Sequence, residues 1–100
     1  MAKEFNLGKV VVTAAVNQLM LSDYEFQRFI TLSLGKHARG NWGNMSPEDR
    51  KRNDEAVESG ERIMSVYYRP GMKKEDAQGK IWIITEADRS STTILFSDEY

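Results

Sequence analysis

The hydrophobic pattern is clearest over the last third of the chain, where it has the two-residue period of β-strands. Arg62–Arg69 alternates between two sets of side chains, and the runs Ile81–Thr85 and Thr92–Phe96 are rich in β-branched and aromatic residues. Such residues fit a pleated, half-buried surface better than they fit a helix. Joined by the polar connection Met72–Gly79 and the link Glu86–Ser91, these runs predict a three-stranded antiparallel meander.

Nearer the N-terminus, the pattern predicts a short strand followed by two helices. Val10–Val12 is a β-branched run that ends quickly. Thr13 is the predicted N-cap of the first helix, because its hydroxyl can accept a free backbone N–H of the first turn. Ser22 and Glu25 have the spacing of a capping box, which predicts that a second helix begins there.

A third helix has the strongest end signals in the chain. Ser46 is a suitable N-cap, Pro47 occupies the first helical position, and Gly60 supplies the stop. Because a two-stranded hairpin is marginal on its own, the helices must cover one face of the strands. The sequence therefore predicts a single α+β domain over residues 1–100, with a short N-terminal strand and three helices packed on a C-terminal three-stranded antiparallel meander.

Composition narrows the class of protein. The chain has no cysteine, which excludes disulfides and thiol catalysis and fits a reducing cytoplasm. Fourteen Lys and Arg against fifteen Asp and Glu give a net charge of −1, so no overall field draws the protein to nucleic acid or anionic lipid. The longest apolar stretch, Val10–Val16, is far shorter than the roughly 20 residues of a membrane span.

Two residues with chemical potential lie near the middle of the chain. His37 is the only histidine, and a lone imidazole cannot form a multi-histidine metal site. We expect it at a helix C-terminus, interacting with the last carbonyls, with a general base as the alternative. Trp42 lies in the segment Gly40–Asn44, whose two glycines indicate positive φ or close approach to a neighbour. We favour a role for Trp42 as an anchor in the core over a role as an exposed recognition residue.

Two charged segments each admit two interpretations. Arg50–Arg52 is surrounded by acids, so we favour a solvated, salt-bridged face over a nucleic-acid contact. In the link Glu86–Ser91, Arg89 is a candidate for binding phosphate. We favour turn chemistry for this link, in which Asp and Ser side chains bond their own backbone.

Two further classes of function stay open as alternatives. A small RNase or toxin-like enzyme with a helical layer on an antiparallel sheet would need a catalytic set of His, Arg, Thr and Tyr. Those residue types occur here as His37, Tyr67, Arg89 and Thr93. A nucleic-acid-binding accessory protein would instead need a basic surface, for which the candidates are Lys36, Arg39 and Arg50–Arg52.

Two segments resemble a family of small proteins encoded on prophages, plasmids and other mobile elements of proteobacteria. The segments are GNWGNMSPEDRKRND, Gly40–Asp54, and WIITEADRSSTTILFSDEY, Trp82–Tyr100. Members typically show a His-x-x-Gly-Asp-Trp-Gly motif, an Asn-Asp pair further along, and an ending close to WIITEADRSVTTILLPEEY. The matching residues here are His37, Gly40, Trp42, Gly43, Asn53 and Asp54, and Phe5–Thr13 is also similar. Asn41 stands where the family usually has Asp, which removes a charge.

One branch of that family resembles anti-CRISPR proteins that act on type I systems. The resemblance implies a non-enzymatic inhibitor in the cytoplasm of a bacterial host, which binds a Cascade-type crRNA–protein surveillance complex and blocks hybridisation of target DNA. It implies no cofactor, metal, small-molecule ligand, membrane contact or binding to free DNA. Acidic side chains would occupy the partner's Lys and Arg, and aromatic side chains would anchor the contact. The expected partner-binding residues are Trp42, Tyr68, Glu86, Asp88, Arg89, Asp98 and Glu99.

Overall fold

The structure, a computed structural model, describes residues 5–73 and 75–100. Its helices are α1 (Ala14–Ser22), α2 (Tyr24–Ala38) and α3 (Pro47–Ser59), and its strands are β1 (Lys9–Val12), β2 (Ile63–Tyr68), β3 (Lys80–Thr85) and β4 (Ser91–Phe96). Two short 3₁₀ turns are Ala77–Gly79 and Ser97–Glu99. The predicted α+β class is confirmed, and the strands of the meander begin and end within a residue of their predicted bounds. Lys74, in the predicted connection before β3, lies outside the described residues.

The four strands form one sheet in the order β1-β4-β3-β2. β2, β3 and β4 are antiparallel neighbours, as the meander predicts. β1 pairs in parallel with β4, which places Val10 beside Thr92 and Val12 beside Ile94. The sequence pattern assigned β1 no partner, because a parallel pairing joins strands that are far apart in the chain. β1 and β2 are therefore the two edges of the sheet.

The helix ends follow their predicted caps with one exception. Thr13 Oγ1 accepts the N–H of Val16, and Ser46 Oγ accepts the N–H of Asp49 at 3.2 Å. The predicted capping box at Ser22 is wrong, because α1 continues through Ser22 and the next residue caps α2 instead. Asp23 has an extended backbone, and its Oδ1 accepts the N–H of Phe26 at 3.1 Å.

Asp23 also fixes α2 to the end of β2. Its second carboxylate oxygen accepts a hydrogen bond from Arg69 Nη2 at 2.8 Å. This bond, followed by the one from the Phe26 N–H, lowers the pKa of Asp23 below its ordinary value of 3.8. One side chain therefore both caps the helix and neutralises an arginine of the neighbouring strand end.

α1 and α2 cover one face of the sheet, called here the inner face. The main core consists of Val16, Phe26, Ile30, Tyr67, Ile81, Ile83, Ile94 and Phe96. Within it, the rings of Phe26 and Phe96 stack with their centroids 5.6 Å apart, and burial of one such side chain contributes about 2–3 kcal/mol. A smaller cluster of Trp42, Ala56 and Ile63 joins α3 to the β2 side of the sheet.

Candidate interaction surface

His37 lies in the last turn of α2 and is fully buried against the inner face. Its Nδ1 is 2.5 Å from Ser65 Oγ and its Nε2 is 2.8 Å from Thr85 Oγ1. Thr85 is in turn hydrogen-bonded to Thr92, whose hydroxyl donates to the Leu7 carbonyl. The expected contact with the last helix carbonyls is therefore wrong: the ring crosses to β2 and β3. Burial lowers the pKa of His37 from 6.5 to about 4, so the imidazole is neutral at pH 7.

Trp42 is the core anchor that the sequence favoured. The side chain is only 3% exposed, and its indole N–H donates to Asp54 Oδ1 at 2.9 Å. The two glycines beside it have positive φ, 81° at Gly40 and 80° at Gly43, which lets the loop turn back onto β2. A side chain held this deeply offers almost no surface to a partner, so Trp42 drops out of the candidate contact surface.

The same segment closes the free edge of β2. The Gly40–Asn44 loop pairs with Val66, which accepts the N–H of Asn44 at 2.7 Å and donates to the Trp42 carbonyl at 3.2 Å. From α3, the Asn53 amide both donates to the Met64 carbonyl and accepts the Met64 N–H. Unpaired edge groups are a template for aggregation. The first motif of the family resemblance thus serves to build and protect the fold.

Arg89 also has a structural role. It has a positive φ of 60°, and its guanidinium donates to the carbonyls of Ala56 at 2.8 Å and Glu61 at 2.7 Å. A cation at this position satisfies carbonyls at the C-terminal end of α3 and interacts favourably with the helix dipole. These donors are engaged, so phosphate binding by Arg89 has no support from the geometry. Asp88 Oδ1 accepts the Ser90 N–H at 3.0 Å, which confirms the predicted turn chemistry.

The exposed acids predicted to meet a partner do not form one patch. Glu86 and Asp88 lie in the turn before β4, whereas Asp98 and Glu99 follow the end of that strand. A strand of this length separates its ends by roughly 17–20 Å. Glu99 also has a structural role, since its Oε1 accepts from Thr13 Oγ1 and from the Phe96 N–H. The hydrogen bonds from Ser90 lower the pKa of Asp88, so this carboxylate is ionised at neutral pH.

The side chains required by the RNase hypothesis do not converge. The ring of Phe5 packs against both His37 and the Arg89 guanidinium, at 5.4 and 5.7 Å. Tyr67 is in the inner core, where burial raises the pKa of its hydroxyl to about 12. Thr93 follows Thr92 on β4 and therefore points to the opposite face of the sheet. The buried imidazole of His37 therefore cannot reach a substrate held at Thr93.

The basic segment of α3 forms the mixed face that the sequence favoured. Arg50 donates to the Gly43 carbonyl at 3.1 Å, and Arg52 lies 3.9 Å from Asp49 in an exposed ion pair. Exposed pairs of this kind contribute at most about 1 kcal/mol. Arg50 therefore helps to hold the edge loop.

The second face of the sheet, called here the open face, is unusually apolar. By alternation its middle carries Val11, Met64, Val66, Trp82, Ile84, Thr93 and Leu95, and the strand ends add Lys9, Tyr68, Lys80 and Ser91. Antiparallel sheets with one face on a core commonly place polar residues on the other. In the part of the chain that the structure describes, α1 and α2 belong to the inner core and α3 packs along the β2 edge. The C-terminal turn folds towards the open face, and Asp49, Arg52 and Asn53 of α3 line a cavity with Met64 and Tyr100 at its margin. Ile84 and Leu95 are buried on this face, at 5% and 7% exposure.

Three side chains suited to protein recognition meet on this open face. Tyr100 is 64% exposed and lies with its ring centroid 4.5 Å from that of Trp82. The guanidinium of Arg62 lies 5.3 Å from the Tyr100 ring and donates to its hydroxyl. A cavity of about 220 Å³ beside them is lined in part by Met64. We call Trp82, Tyr100 and Arg62 the aromatic cluster; Trp, Tyr and Arg are the residues most enriched at binding hot spots.

The aromatic cluster was not predicted from the sequence, although the sequence contains a signal for it. β3 is apolar at both alternating sets of positions, with Ile81 and Ile83 on one face and Trp82 and Ile84 on the other. Such a strand in a two-layer domain indicates that something covers its second face. Tyr68, the aromatic residue predicted instead, is half-buried near the β2 edge, with the Lys80 ammonium 5.5 Å from its ring.

The two tryptophans should respond differently to replacement by phenylalanine. The indole N–H of Trp82 is buried and has no acceptor within residues 5–73 and 75–100, so Trp82→Phe removes an unsatisfied donor and should cost less than about 1 kcal/mol. Trp42→Phe loses a fully packed ring and the bond to Asp54, and should cost about 2 kcal/mol. Urea unfolding of both variants measures the difference, and equal losses would contradict the assignment of Trp82 to a surface face.

Comparisons with protein-family models, curated proteins and solved structures find no match. No group of three or more His, Cys, Asp or Glu among the described residues is arranged to hold a metal ion. Within the same residues, no helix has the length and apolar character needed to cross a membrane.

Proposed function

We propose that this protein is a non-enzymatic inhibitor that binds a nucleic-acid-handling assembly of a bacterial host through the open face of its sheet. The aromatic cluster on that face carries the proposal. Tyr100 and Arg62 are exposed at the surface while Trp82 lies half-buried beneath them. An anchor that is already positioned loses little conformational entropy when a partner covers it.

The surroundings of the aromatic cluster indicate what such a partner offers. Asp98 and Glu99 precede Tyr100, and Asp98 is exposed. Proteins that hold nucleic acid display Lys and Arg for its phosphates, and carboxylates can occupy those side chains instead. The particular target we propose, from the resemblance described above, is a type I CRISPR surveillance complex, with block of target DNA hybridisation as the mode of inhibition.

The test is co-purification of the tagged chain with a purified surveillance complex, together with a gel-shift assay of target DNA binding. The wild-type chain should be retained with the complex and should prevent the DNA shift. Tyr100→Ala with Arg62→Ala should weaken retention by at least about tenfold, because both side chains are hot-spot types at the centre of the contact.

Tyr24→Ala is the matched control, since Tyr24 is 72% exposed on α2 and lies on the other layer of the domain. It should retain the complex as the wild type does. Failure of the wild-type chain to co-purify, combined with unchanged phage plaquing on an immune host, would remove the proposed target. Full retention of the Tyr100 and Arg62 double variant would remove the open face as the contact.

A further inference from the structure

A groove runs along the exposed side of α2 towards the end of β2. Two adjoining cavities of about 430 and 270 Å³ form it, and Phe29, Leu32 and Pro70 line both. Leu32 is 56% exposed, so the apolar floor of the groove is open to solvent. The groove shares no residue with the aromatic cluster and is a separate surface.

The groove retains positive charge. Arg28 lines the first cavity and Lys36 the second. Both are exposed, and across the described parts of the chain neither has an ion-pair partner. Arg69 also lines the groove, but it forms an ion pair with Asp23. Glu25 is the acid among the lining side chains, so two unpaired cations face one carboxylate.

The order of these groups along α2 is cation, apolar floor, cation. A rise of about 1.5 Å per residue places the backbone positions of Arg28 and Lys36 about 12 Å apart, with Leu32 midway between them. In an extended peptide, side chains at positions i, i+2 and i+4 point the same way and span about 13 Å. The two spacings match.

We propose that this groove binds an extended acidic segment of a partner protein with the pattern acid-x-apolar-x-acid. One carboxylate pairs with Arg28 and the other with Lys36 through charge-assisted hydrogen bonds, and the apolar side chain between them packs on Leu32 and Pro70. Leu32, Pro70 and the Phe29 ring form an apolar floor that suits an aliphatic side chain. A nucleotide base stacked on Phe29 is the competing occupant, which the oligonucleotide measurement distinguishes. This inference does not rest on the proposed function.

Fluorescence anisotropy with a fluorescein-labelled Glu-x-Leu-x-Glu peptide tests the groove on the full chain. The peptide should bind saturably, and Arg28→Glu with Lys36→Glu should weaken binding by at least about tenfold. Leu32→Ser, or serine in place of the peptide leucine, should weaken it by a similar factor. Lys9→Glu with Lys51→Glu makes the same change in net charge at exposed lysines elsewhere, and should leave the affinity within about twofold.

Three results would overturn the inference. The first is an absence of saturable peptide binding by a folded wild-type chain, and the second is an equal loss in the Lys9 and Lys51 control. The third is tighter binding of a labelled single-stranded oligothymidylate than of the peptide, which would assign the groove to nucleic acid. Tyr100→Ala should bind the peptide as the wild type does. The peptide assay therefore tests the groove separately from the contact proposed for the open face.

Discussion

Gly43→Ala should destabilise the protein by more than about 3 kcal/mol, a large fraction of the roughly 5–15 kcal/mol that stabilises a folded domain. Gly43 has a φ of 80°, and a Cβ there would lie 2.1 Å from the Val66 carbonyl oxygen and 2.7 Å from the Tyr67 ring. Neither neighbour can withdraw, because that carbonyl accepts the N–H of Asn44 and the Tyr67 hydroxyl donates to the Asn41 carbonyl. The added methyl group would push the loop off the β2 edge.

Gly60→Ala is the control, because Gly60 has the same φ of 80° but a Cβ there meets nothing within 4 Å. Gly60→Ala should lower the free energy of unfolding by about 1–2 kcal/mol, the cost of holding an alanine in the left-handed backbone conformation. Urea unfolding followed by circular dichroism measures both variants against the wild type. If the two variants lose the same stability, contact between the loop and β2 is not what requires glycine at position 43.

Local chemistry allowed much of the fold to be predicted. The Ser46 cap, the Gly60 stop and the alternation in β2 each depend on neighbours in the sequence, and each lies where the pattern placed it. The Gly40–Asn44 loop was expected to need positive φ or close approach, and at Gly43 the structure has both. These features follow from backbone sterics, which a short segment already specifies.

The features that escaped prediction depend on residues far apart in the chain. The parallel pairing of β1 with β4 and the bonds of His37 to Ser65 and Thr85 are of this kind. Sequence spacing indicates what an imidazole or a carboxylate can do, but not which residue stands opposite. The same limit explains why Trp42 was offered as a contact residue while Trp82, whose ring lies on the open face, was not.

The residues that carry the family resemblance have structural roles in this protein. Trp42, Gly43 and Asn53 hold the β2 edge, and Arg89 holds the end of α3. Proteins that share these residues can therefore share a fold without sharing a partner. A contact specific to this chain is better sought on exposed side chains with no bonding role in the fold, such as Leu32 in the groove of α2.

The stability of the protein should fall by about 3 kcal/mol as the pH drops from 6.5 to 4, through His37 alone. Burial holds the folded-state pKa of His37 at about 4 against an ordinary 6.5. Between pH 6.5 and about 4, the His37 imidazole therefore binds a proton in the unfolded chain but stays neutral in the folded chain. The stabilisation is complete above pH 6.5 and is lost progressively down to the folded pKa. Asp23 and Asp88, whose pKa values are lowered from 3.8, lose their contributions only at more acidic pH.

Because His37 is the only histidine, its imidazole gives a single set of ring resonances, whose titration by NMR should stay flat from pH 8 to about 5. Urea unfolding at intervals over the same range measures the free energy directly. His37→Gln keeps hydrogen-bonding groups beside Ser65 and Thr85 but cannot titrate, so its stability should be lower at pH 7 and nearly constant between pH 6.5 and 5. A wild-type imidazole that titrates near 6.5 in the folded state would contradict the buried network, because a charged ring cannot remain desolvated between two hydroxyls without a counter-ion.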